Sequence, residues 1–137
     1  MATNIAEYYT DELMEWNNSI FFFLQEMHGL TKKLGEVIQR NTIPNIAAKV
    51  EHEQTKINAV SAKFLQLQER IQQQIKAFKT DGTLKTNADI KAVEENRQHK
   101  FRQAMQEIEK EYVDTKYACY NFLSDTLKKQ NDKKKDR

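Results

Sequence analysis

The sequence predicts an all-α protein, an up-down-up bundle of three long helices with coiled-coil-like heptad packing. Three observations carry that reading. The 137 residues include 3 Gly and 1 Pro, too few breakers for many short elements. Gln, Lys, Glu and Ala are abundant, and all are good helix formers. Apolar residues recur at the alternating three- and four-residue spacing of a heptad. With 39% hydrophobic residues so regularly placed, the chain differs from a disordered segment and is long enough for one domain with its own core. That domain is expected over residues 1–130.

The first helix is expected at about 4–40. Leu13, Ile20, Met27 and Leu34 occupy one seam position, and Trp16, Phe23, Leu30 and Val37 the other. Pro44 removes a donor and disfavours helical geometry in the residue before it, so the helix ends ahead of it. Asn41 or Thr42 then caps a second helix at about 44–79. Its seams are Ile43, Val50, Ile57, Phe64, Ile71 and Phe78, and Ile46, Glu53, Val60, Leu67 and Gln74. The stretch Thr80-Asp81-Gly82-Thr83 marks a turn, with no strand expected, and Thr86 or Asn87 caps a third helix at about 87–130. Ile90, Val93, Phe101, Ala104, Ile108, Tyr112, Cys119, Phe122 and Leu127 form its looser apolar face.

A short turn makes the first two helices antiparallel neighbours. Setting Leu13 opposite Leu67, Trp16 opposite Phe64 and Leu34 opposite Ile46 leaves Met27–Glu53 as the one layer with a charge. The same register sets Glu12 near Arg70 and Glu26 near Lys56. The core then closes either with the third helix in the groove of the first two or by dimerisation.

Residues 131–137 are expected to be a disordered basic tail. Over 128–137 there are six Lys/Arg against two Asp, from Lys128, Lys129, Lys133, Lys134, Lys135 and Arg137. These cations are the candidate anion-binding group, for nucleic acid or an anionic surface. No aromatic residue is interleaved to stack bases, so nucleic acid is the less favoured partner. From Glu7 to Glu26, by contrast, every charged residue is acidic.

Catalytic, metal and cofactor sites are not expected. His28 and His52 fall outside the seams, His99 lies at a different height, and no inward Glu-x-x-His pair or HEXXH is present. The glycines Gly29, Gly35 and Gly82 form no phosphate-binding loop. Cys119, the single cysteine, sits on an apolar face and reads as a buried structural thiol. Glu53 reads as a buried polar layer that fixes register.

The longest apolar run, Ile20 to Leu24, is far short of the ~20 residues that span a bilayer. The N-terminal segment has acids where a leader's apolar stretch would stand, so a soluble cytoplasmic chain is expected. Ile20 and Phe23 belong to the seam, but Phe21 and Phe22 lie outside it, and Leu24 widens the apolar arc. Phe21, Phe22 and Leu24 are therefore the candidate interface. The expected function is a non-enzymatic structural or protein–protein interaction module. It would be a homo-oligomer, with a dimer favoured, or bind a helical protein partner.

Overall fold

Asn4 starts the first helix by capping it. Its side-chain oxygen accepts the Glu7 N–H at 3.3 Å, and the Ile5 N–H is taken by the Asn87 side chain at 2.8 Å. Two of the orphan donors of a helix start are thus satisfied. The computed structural model describes residues 4–40 and 43–135, with side chains to Lys129. Helix α1 (Ile5–Arg40) is followed by α2 (Ile46–Ala77), strands β1 (Lys79–Thr80) and β2 (Thr83–Leu84), a 3₁₀ turn at Asn87–Asp89, and α3 (Ala92–Lys135). The three helices pack against one another as an all-α three-helix bundle.

The connections depart from the expected boundaries for local reasons. Asn45 adopts φ 63, so α2 begins at Ile46 and Ile43 stays in the connection. Asparagine tolerates this left-handed geometry better than most residues. The expected strand-free turn is instead a small antiparallel hairpin, with Thr80 paired to Thr83. Asp81 and Gly82 have φ 51 and 80, and two positive φ values in succession build a type I′ turn, whose twist suits a hairpin. Helix α3 starts later than expected because the Asp89 carboxylate accepts both the Thr86 N–H and its hydroxyl, at 3.2 and 2.9 Å, closing a separate turn. Glu94 then accepts the Lys91 N–H at 3.0 Å and caps α3 itself. The helix continues to Lys135, past the end expected near residue 130.

The chain forms two compact units, and each helix contributes to both. The first comprises Met1–Phe22 and Lys63–Glu109. Its core holds Leu13, Ile20, Phe64, Leu67, Ile71 and Phe78, all buried. The second comprises Phe23–Ala62 and Lys110–Arg137. Met27, Leu34, Val50, Ile57, Tyr112 and Cys119 are buried there.

The apolar face expected for α3 needs two corrections. Val93 and Leu127 are exposed. Buried or half-buried positions instead run Gln98, Phe101, Met105, Ile108, Tyr112, Thr115, Cys119, Phe122, Thr126, a strict three–four alternation. Gln98, Thr115 and Thr126 fill seam positions, so hydrophobicity alone hides the heptad, and Val93 and Leu127 fall outside it. No described helix is long and apolar enough to cross a membrane.

Candidate interaction surfaces

In the first unit, α1 carries two rows of residues at heptad spacing on its outer side. One is Tyr8, Glu15, Phe22; the other is Met14, Phe21. Successive helical residues point about 100° apart, so neither row can share the buried stripe of Leu13 and Ile20. Phe21 is 59% exposed and Phe22 56%, and Tyr8 and Met14 are similarly open. The candidate interface residues Phe21 and Phe22 thus lie on the surface, and Asp11 and Glu15 are exposed earlier on the same side of α1. Leu24, in the second unit, is half-buried.

The acids of α1 split between this outer side and α3. Glu12 accepts Arg102 Nε at 2.7 Å and Gln98 Nε2 at 2.8 Å, not Arg70 as the sequence suggested. Arg102 also lies over the Tyr9 ring, 6.0 Å from its centroid. Gln98 is fully buried and also donates to the Tyr9 carbonyl at 3.2 Å. Glu12 therefore faces α3, which the pairing of α1 with α2 could not reveal.

Between α2 and α3 the first unit holds an open groove of about 690 Å³. Leu67 and Phe101 form its floor, and Arg70, Arg97 and Lys100 line it with no acidic side chain lining it among the described residues. Arg97 donates to Gln74 at 3.4 Å and stands close enough to Glu94 to help hold that carboxyl below its ordinary value, after the backbone N–H bonds that dominate. Arg70 and Lys100 are exposed, as is Val93 at the groove edge. No sequence motif announced this groove, because its cations come from two helices and no single run of sequence is basic there.

In the second unit, Glu26 is the centre of a polar cluster. Tyr112 Oη donates to Glu26 Oε1, and Lys116 Nζ donates to both carboxylate oxygens at 3.0 and 2.9 Å. The Tyr112 ring packs on Phe23 with centroids 4.4 Å apart. These partners replace the Lys56 expected for Glu26. The Tyr112 hydroxyl holds the Glu26 carboxyl below its ordinary value, with Lys116 helping. Burial, reinforced by Glu26, pushes Tyr112 up to about 12. Both shifts give a pH dependence of known sign. A depressed carboxyl stabilises the fold above the unfolded value of about 4.3 and ceases to do so as pH falls through its folded value. A raised tyrosine does so below about 10, and its contribution is lost as pH climbs to about 12. Denaturant midpoints are therefore expected to stay level from roughly pH 5 to 8 and to fall on both sides, with the raised Cys119 thiol adding to the alkaline fall. Tyr112→Phe should shrink both the alkaline and the acid fall; an unchanged profile would show that the cluster does not contribute to it.

Glu53 lies in the same unit, buried on the α2 seam. Its Oε1 is 3.7 Å from Lys56 Nζ, one turn along the same helix, and its Oε2 has no hydrogen-bond partner among the described residues. The Tyr112 hydroxyl and the Lys116 ammonium of the same unit are bonded to Glu26 instead. Burial first, and Glu53 second, raise the Cys119 thiol to about 11. A thiol so far above neutrality is a poor nucleophile.

The histidines His28, His52 and His99 are all exposed. Among the described residues no three His, Cys, Asp or Glu side chains are grouped to hold a metal ion. Of the tail cations, Lys128 and Lys129 are exposed, and Lys129 borders a shallow groove of about 130 Å³ with Ile46 and Lys49. The backbone at Lys133, Lys134 and Lys135 is helical but their side chains, and Arg137 entirely, lie outside the described residues. No family model matches the chain, and neither a curated protein nor a solved structure matches it.

Proposed function

We propose that the protein is a non-enzymatic helical interaction module that self-associates through the outer side of α1 around Phe21 and Phe22. The supporting observation is the exposure of two adjacent phenylalanines, 59% and 56%, on a helix whose buried stripe is already filled. Full burial of a phenylalanine is worth about 1.5–3 kcal/mol, and two neighbours left more than half exposed forgo part of it, which favours a second surface to cover them. The single, buried cysteine suits a reducing, cytoplasmic setting.

The test is solution mass by light scattering during size exclusion. The wild-type protein is expected to associate with rising concentration. The Phe21→Ser, Phe22→Ser double variant is expected to be a monomer with unchanged helical content. A wild-type monomer at every concentration, or a double variant of undiminished mass, would overturn the reading.

A further inference from the structure

We infer that the second copy is received in the α2–α3 groove of the first unit, so that association is head-to-tail rather than two-fold. The inference rests on the self-association proposed above and adds the surface that meets α1.

Three observations lead to the groove. The first is charge. The outer side of α1 has Asp11 and Glu15 among its apolar residues, and no base occurs from Glu7 to Glu26. Two such faces laid parallel across a two-fold axis would set acid against acid, which disfavours that pairing. The groove presents Arg70, Arg97 and Lys100 and no acid, so it complements that face. The second is chemistry along the strip. Met14, Phe21 and Phe22 need apolar contacts, and Leu67 and Phe101 on the groove floor and Val93 at its edge supply them between the cations. The third is length. The groove runs from Leu67 to Ala77 on α2 and from Val93 to Ala104 on α3, about 15 Å along each helix. Asp11 to Phe22 covers about the same length of α1. A helix laid there completes a four-helix arrangement of ordinary kind.

No described residue of α1 lines the groove, and the exposed rows of α1 point away from the buried stripe that meets α2 and α3. Donor and acceptor surfaces thus lie on different sides of the first unit. A pair joined this way leaves one free surface at each end, so assembly continues past the dimer unless it closes into a ring.

Two charge variants at exposed positions separate the alternatives. Arg70→Glu with Lys100→Glu spoils the groove, and Asp11→Lys with Glu15→Lys spoils the α1 face. Circular dichroism confirms that each keeps its helical content and melting temperature. Each alone is expected to lose association, with at least a tenfold rise in the concentration required. Mixed together, the native face of one variant meets the native groove of the other, and the reversed face and reversed groove are complementary in turn, so association is expected to return. If the groove variant assembles like wild type while the Phe21→Ser, Phe22→Ser variant is monomeric, the groove is not the acceptor and self-association through α1 still stands. If the two charge variants are monomeric and form no complex when mixed, the two surfaces do not meet. If the wild-type monomer instead binds single-stranded DNA and the groove variant does not, the groove serves nucleic acid and the inference fails.

Discussion

Truncating Phe78 to alanine is expected to cost about 3–5 kcal/mol of unfolding free energy, the range for removing a large buried ring. Phe78 is completely buried although it stands just past the end of α2. Its ring packs on Tyr9 of α1 with centroids 5.9 Å apart. Its N–H donates to the carbonyls of Gln74 and Ile75 at 3.2 and 3.3 Å, and its carbonyl accepts the Lys85 N–H at 2.8 Å. One residue therefore ends α2, closes the base of the hairpin and fills the core under the start of α1. Neighbours held by that much backbone cannot easily collapse into the space, so the cavity term should be near its full size. Urea denaturation followed by circular dichroism measures the loss. A loss below about 1 kcal/mol would mean that the site relaxes around the missing ring.

The three-helix class was legible because the seams of α1 and α2 are apolar at nearly every turn. Leu13, Ile20, Met27 and Leu34 are all buried as their spacing implies. The α3 seam was only half legible. Gln98 and Thr126 are buried there through side-chain bonds to backbone carbonyls, to Tyr9 and Phe122 respectively. Such a bond offsets the cost of burying a polar group, so a polar residue can stand where pattern-reading looks for a leucine. The hairpin was missed for a different reason. Its strands are two residues each, too short to alternate, and the whole signal is Asp81-Gly82.

The candidate surface divides in the same manner. Phe21 and Phe22 were legible because a residue one or two positions past a seam cannot face the seam. The partners of Glu12 and Glu26 were not. Adjacency in sequence suggested α2, yet Arg102 and Lys116 of α3 reach them. Both acids lie on the flank of α1 turned toward α3, and that choice depends on how the third helix settles. The cationic groove was illegible for the same reason, since Arg70 and Lys100 become neighbours through α2–α3 packing alone.

Glu53→Met is expected to stabilise the protein, by about 1–3 kcal/mol, against the usual direction of a core substitution. The Glu53 side chain is 11% exposed and is the one charged residue on a seam shared with Ile46, Val60, Leu67 and Gln74. Its nearest cation, Lys56, is 42% exposed and 3.7 Å away, so that pair is a weak one. Its second oxygen has no partner among the described residues. Methionine has a similar length, adapts to irregular space and carries no charge to desolvate. The replacement also removes the negative charge that helps raise Cys119, so the thiol should titrate lower in the variant while burial still holds it above an ordinary cysteine. Denaturant midpoint and thiol titration thus read the same substitution independently. A midpoint that falls, with the thiol unmoved, would show that Glu53 is held by an interaction stronger than the Lys56 pair. A midpoint that rises would mean that the carboxylate is kept at a cost in stability. Its benefit would then lie in pairing: a charge on the α2 seam disfavours every register that buries it more deeply, whereas an all-apolar seam allows slippage by whole heptads.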